Sequence, residues 1–140
     1  MRRLGTSAAL AAVSTFGLAA CGGDDDDYAN TPRPPAPIVL TAAISAKEVS
    51  ISPAKFGAGP VSLIITNLTD SPQEVTFESD GSSAGFTQST SPINPRDTAT
   101  LKADVPEGDA VVKVSSDGIK QASVAVGPKR ESAQNELLQP

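Results

Sequence analysis

From residue 38 to residue 127 the apolar side chains recur at every second position, and this period most tightly limits what the chain can fold into. Ile38, Leu40, Ala42 and Ile44 alternate with Val39, Thr41 and Ala43, and Val61, Leu63 and Ile65 alternate with Ser62, Ile64 and Thr66. The pattern returns at Val49 and Ile51, at Val75 and Phe77, and in the runs from Leu101 to Val105, Ala110 to Val114 and Ala122 to Val126. Successive side chains of an extended strand point to opposite faces, so a period of two buries one face of a sheet and wets the other. No stretch carries an apolar helical stripe of useful length. Turn signals separate the runs: Gly57-Ala58-Gly59-Pro60, Asp70-Ser71-Pro72, Asp80-Gly81, Pro106-Glu107-Gly108 and Asp117-Gly118. Seven short strands in about 90 residues predict an all-β, Greek-key β-sandwich over residues 38–127.

Composition then removes whole classes of chemistry. The chain has no histidine and no tryptophan, one cysteine (Cys21) and one methionine (Met1). Without imidazole there is no Ser-His-Asp or Cys-His catalytic unit and no histidine metal site. Eleven basic against sixteen acidic residues leave a net charge of −5, which argues against a phosphate-binding surface for nucleic acid. Aromatic residues make up 4% of the chain, too few for a base-stacking platform.

The first residues read as an address. Arg2 and Arg3 precede an uncharged apolar run from Leu4 to Ala20, the layout of a secretory signal peptide. At about 17 residues the run sits at the lower limit for a membrane span, and Gly5, Ser7, Ser14, Thr15 and Gly17 weaken it further. Leu18-Ala19-Ala20-Cys21-Gly22 resembles the lipobox of bacterial lipoproteins, in which an aliphatic and two small residues precede the cysteine that is acylated and becomes the mature N-terminus. The resemblance implies residues 1–20 as signal peptide, Cys21 as the lipidation site, the lipid bilayer as a partner, and a membrane-anchored, extracytoplasmic location. Cys21 stands alone, so an intramolecular disulfide is impossible. Residues 21–37 form a tether: Gly22-Gly23, four aspartates (Asp24 to Asp27), then Thr31-Pro32-Arg33-Pro34-Pro35-Ala36-Pro37, which favours extended polyproline II. The aspartate run lacks the turn geometry of a calcium loop and reads as a solvated spacer.

Within the sandwich, Glu48-Val49-Ser50-Ile51-Ser52-Pro53-Ala54-Lys55-Phe56-Gly57-Ala58-Gly59-Pro60-Val61, running on to Asn67, resembles the opening of cupredoxins. There a strand, a proline and a short apolar segment lead through a glycine turn into a strand ending in Asn. Pro106-Glu107-Gly108 before Ala110 to Val114 is similar to the family's turn into its penultimate strand, and an immunoglobulin-like sandwich is the alternative. The resemblance implies a copper site of two histidines, a cysteine and an axial methionine. Gln73 or Glu74 falls where the first histidine would stand, and residues 115–120 where the cysteine-to-methionine loop would lie. No ligand carries over, so the expectation is a cupredoxin-like module with no metal and no cofactor.

Other candidates are few. Glu74 and Glu78 share a strand face with Asp80 just beyond, and with a serine they would be the residues of an envelope hydrolase; a solvated outer face is the plainer expectation. Carboxylates alone would have to serve a metal-delivery role. The serine-rich stretch from Ser79 to Ser91 is long enough to be a binding loop, and Phe86 within it either docks on the core or reaches a partner. Asn67-Leu68-Thr69 fits the glycosylation sequon, which in a bacterial lipoprotein is chance. The tail, residues 128–140, reads as a frayed terminus in which Leu137 and Leu138 could dock on the sandwich or on a partner. The chain is expected to be a non-enzymatic binding or structural module, its envelope protein or small ligand unspecified.

Overall fold

The computed structural model describes residues 33–80 and 85–133. Cys21, residues 1–20 expected as signal peptide, most of the tether expected over residues 21–37, Leu137 and Leu138 lie outside the described residues. Nine strands are present among those described: β1 (Ile38–Ile44), β2 (Val49–Ser52), β3 (Lys55–Gly57), β4 (Gly59–Asn67), β5 (Val75–Ser79), β6 (Thr87–Ser89), β7 (Thr98–Val105), β8 (Gly108–Val114) and β9 (Ala122–Gly127). They form two mixed sheets, ordered β2-β1-β4-β7 and β3-β9-β8-β5-β6.

The seven alternating runs each become a strand. The two additional strands, β3 and β6, are three residues long and close the two edges of the second sheet. A three-residue segment is too short to display a period, so neither edge was visible as alternation. β6 also corrects the reading of residues 79–91 as a loop: Ser79 belongs to β5, and Thr87–Ser89 returns as a strand paired with it.

The inward face matches the pattern. Along β4 burial alternates over all nine residues, with Val61 2% exposed and Leu63 and Ile65 fully enclosed. Leu40 and Ile44 join them from β1 in the same sheet, and Val75, Phe77, Val112 and Val124 join the same core from the other sheet. Each such side chain removed from water contributes about 1.5–3 kcal/mol before the entropy of ordering the chain is deducted. β1 runs parallel to β4, pairing Leu40 with Leu63 and Ile44 with Asn67, and β3 runs parallel to β9. The other named pairings are antiparallel.

Register defines two ends. The starts of β1, β4 and β8 and the ends of β5, β7 and β9 gather at one, here the proximal end, where the chain enters at residues 33–37 and leaves after Gly127. The ends of β1, β4 and β8 and the starts of β5, β7 and β9 gather at the other, the distal end.

Candidate functional site

The distal end is organised by one amide. Asn67, the last residue of β4, is fully buried. Its Nδ2 donates to the Ser71 carbonyl (2.8 Å) and the Ile93 carbonyl (2.9 Å). Its Oδ1 accepts from the Thr69 amide (2.9 Å) and the Thr69 hydroxyl (2.7 Å). The amide contact spans two residues and is an Asx turn, the local bond that short polar side chains offer where a strand must end. The Asn67 main chain adds two bonds, from its N–H to the Asp97 carbonyl (3.0 Å) and from the Arg96 N–H to its own carbonyl (2.7 Å). This second bond helps hold Arg96 at a φ of 64°, a left-handed conformation unusual for a side chain of that size. With its amide committed to four contacts inside the protein, Asn67 has no room for a glycan, in keeping with the sequon's being chance.

Gln73 lies beside this hub. Its main chain pairs with Ile93 in both directions (3.0 and 2.8 Å), and its side chain turns inward and is 1% exposed. Nε2 donates to the Ser71 hydroxyl (3.2 Å) and the Thr69 hydroxyl (3.4 Å), while Oε1 has no hydrogen-bond partner among the described residues. Glu74 points the other way and is exposed. The structure thus separates the two candidates for the inward position: Gln73 holds it, and Glu74 faces solvent. The Glu74 main chain joins the next segment, its N–H donating to the Ser115 hydroxyl (3.2 Å) and its carbonyl accepting from the Ser115 N–H (2.9 Å). At the far side of that segment the Lys120 N–H donates to the Lys47 carbonyl (2.9 Å), and the Lys120 carbonyl accepts from the Val49 N–H (2.8 Å). Residues 115–120 are therefore pinned at both ends, and Ile119 between them packs on the core.

The remaining sequence candidates are dispersed. Glu78 lies on the outer face of the second sheet, paired with the ammonium of Lys113 across β5 and β8. Both partners are partly exposed, so the pair contributes little to stability. Asp80 is exposed beyond it. Phe86 docks on the core: its ring meets Phe77 edge-on at 4.8 Å and 77°, and it exchanges contacts with Ser79 at the mouth of the hairpin. Half-buried there, it also lines a shallow depression of about 350 Å³ with Asp104, Pro106, Glu107 and Lys129 at the proximal end.

One functional element was absent from the expectations. Arg130, in the segment read as a frayed tail, helps strap residues 33–36 to the sandwich. Its guanidinium donates to the carbonyls of Ala36 (2.5 Å), Gly57 (3.0 Å) and Pro60 (2.5 Å), and its main-chain N–H donates to Ala58 (3.0 Å). Ser132 Oγ reaches the Arg33 carbonyl (2.6 Å), and the Ala133 N–H reaches that of Pro34 (3.4 Å). Two glycines make room: a Cβ on Gly57 would stand 2.8 Å from Arg130 Cγ, and one on Gly59, whose φ is +127°, would stand 3.1 Å from Arg130 Nη2. Charged donors to carbonyls are worth more than neutral ones, so Arg130→Ala should lower stability by about 2–3 kcal/mol. Trypsin should then cut after Lys129, in the released segment, faster than in the unaltered chain. An unchanged melting curve and cleavage rate would contradict the strap. Neither the charge nor the spacing of residues 128–133 hinted at this role, since an arginine binding carbonyls across the fold leaves no local pattern.

No family model and no curated protein matches the chain. Among solved structures it is similar to auracyanin A, a "blue" copper protein from the green thermophilic photosynthetic bacterium Chloroflexus aurantiacus, with a TM-score of 0.51 and 13% identity over 66% of this chain and 100% of that one. It is also similar to the auracyanin of the photosynthetic bacterium Roseiflexus castenholzii, with a TM-score of 0.50 and 11% identity over 67% of this chain and 99% of that one. At this identity the likeness concerns the fold alone, which is cupredoxin-like rather than immunoglobulin-like.

Proposed function

We propose that the chain is a bacterial envelope lipoprotein, acylated on Cys21, that displays a metal-free cupredoxin-like sandwich as a binding or structural module. The lipobox-like run supports the anchor. The observation that carries the metal-free reading is Gln73, an amide buried at the inward distal position where the resemblance places a histidine. The donors gathered there are amides, hydroxyls and main-chain carbonyls, held by one another. Type 1 copper takes soft thiolate and imidazole donors. The chain contains no histidine, and its cysteine belongs to the lipobox-like run, so these residues do not fit copper. Among the described residues no three His, Cys, Asp or Glu side chains are grouped to hold any metal ion.

The strap supports the display reading. It ties the tether's last residues to the proximal end and leaves the distal hub at the opposite end of the sandwich. Glu78 is paired with the Lys113 ammonium on the outer face and Glu74 is exposed before β5, an arrangement that lends the hydrolase reading no support. Calorimetric titration of the purified full chain with copper, zinc and calcium tests the metal-free reading. A flat trace is expected with each ion, and saturable heat at one ion per chain would overturn it.

A further inference from the structure

The four edge strands of the two sheets are not alike. β3 and β6 are three residues long and β2 is four. β2 is also closed against the second sheet, where the Val49 N–H donates to the Lys120 carbonyl (2.8 Å) and Glu48 bridges to Lys120. β7 runs for eight residues, and among the described residues it pairs with β4 alone. Natural sheets blunt such long edges with proline, bulges or a cover, because free N–H and C=O groups template a further strand. β7 contains no proline.

Register decides which of its groups point outward. Residues opposite one another in an antiparallel pair alternately exchange both main-chain bonds and exchange none, and side chains stand closer in the second kind. Pro60 has no N–H to give, so its pair with Asp104 exchanges none. Six residues along, Thr66 and Thr98 meet through their hydroxyls at 3.3 Å, as the same parity requires. Thr98, Thr100, Lys102 and Asp104 therefore turn their N–H and C=O groups away from β4. The Thr98 N–H donates to the Asp97 carboxylate (2.8 Å), while the next three positions have no main-chain partner among the described residues. Their donors and acceptors recur about every 6.6 Å, twice the rise of a strand.

The core is ajar along the same edge. Val61 and Ile65 on β4 are closed off, whereas Ala103 and Ala99, which face inward opposite them, are only half-buried. Depressions of about 330 and 350 Å³ open beside the two halves of β7, one against residues 89–93 and the other against Gly85 and Phe86.

We infer that the free edge of β7 takes up an extended peptide segment of another protein as a further strand. An extended main chain offers donors and acceptors at this spacing, and neither a flat protein surface nor a small molecule does. Small apolar side chains on its inner face cover Ala99, Ala103 and Phe86. An acid opposite Lys102 and a base opposite Asp104 set its direction and register. Such a strand gives the proposed binding module its partner class and rests on that reading. Acylation at Cys21 and metal content do not enter the assay below, so their failure is told apart from its own.

The full-length chain in detergent micelles is titrated into a fluorescent, end-blocked peptide, Arg-Val-Glu-Val-Thr-Val-Thr, written to run antiparallel to β7 from Asp104 back to Thr98. Saturable anisotropy is expected. N-methylation of the Glu and the first Thr, whose N–H groups face β7, should weaken binding about tenfold or more. N-methylation of the first two valines, whose N–H groups face away, makes an equally apolar peptide and should change binding by less than about threefold. Thr100→Pro removes an N–H on the free side, where an edge strand tolerates proline, and should weaken binding about tenfold with little change in melting point. If that variant fails to fold, the two methylated peptides on the unaltered chain still decide. No saturable binding, or equal loss with both methylated peptides, would overturn the proposal. A chain that is dimeric in the same micelles and made monomeric by Thr100→Pro would overturn it in favour of a second copy at this edge.

Discussion

Serine at Cys21 should abolish incorporation of labelled fatty acid altogether. The exchange replaces one sulfur by oxygen and leaves the charge, the preceding Leu18-Ala19-Ala20 and the tether unaltered. What it removes is the nucleophile: a thiolate forms the thioether to a diacylglyceryl group, and a serine hydroxyl is too weakly acidic to replace it. Each buried CH₂ contributes ~0.8 kcal/mol, so two or three acyl chains hold a protein on a bilayer where one chain would let it exchange. The effect is all or nothing because Cys21 is the only cysteine of the chain. The Cys21→Ser chain should also keep residues 1–20, since the peptidase that recognises such a run acts on the lipidated cysteine. Label retained by the Cys21→Ser chain would refute the assignment.

Asn67→Ala should be the most damaging single change in the sandwich. The substitution leaves the Thr69 N–H without its acceptor and takes one of two donors from the Ser71 and Ile93 carbonyls, which keep the Thr69 hydroxyl and the Gln73 N–H. A buried group left unsatisfied costs about 1–3 kcal/mol and each further lost hydrogen bond about 1 kcal/mol, so the sum is about 3–5 kcal/mol, a large share of what a small domain has. For a domain of this size the midpoint of thermal unfolding should fall by on the order of 20 °C. Asn67→Asp keeps both acceptors but loses both donors and buries a charge, so it should not rescue the fold. A melting point within a few degrees of the unaltered chain would show that the loops at residues 68–74 and 90–97 hold each other without this amide.

The sandwich was legible because its core is written in alternation. Leu63 and Ile65 could be placed inward from the serine and threonine beside them, and the resemblance to cupredoxins rested on turns the structure retains. The position at which the resemblance implies a histidine was legible only to within one residue: a period of two cannot say whether the parity starting at Val75 extends back through the Pro72 turn. Of the two residues, Gln73 is the buried one. The strap at Arg130 was not legible at all. Its partners are carbonyls of Ala36, Gly57 and Pro60, which every residue type supplies, and the only trace in the chain is two glycines ordinary enough to read as a turn. Phe86 carried a real ambiguity, since a lone aromatic in a polar stretch does not reveal its direction. Its edge-on contact with Phe77 follows from β6, an edge strand too short to announce itself.

The central claim is a lipid-anchored sandwich that carries no metal, and native mass spectrometry of the protein extracted from its membranes in detergent tests it most directly. The account predicts one species: a chain beginning at Cys21, heavier than its sequence by a diacylglyceryl group with or without a further acyl chain, and by nothing else. A chain beginning at any other residue, or one that leaves the membrane with a metal ion bound, would contradict it.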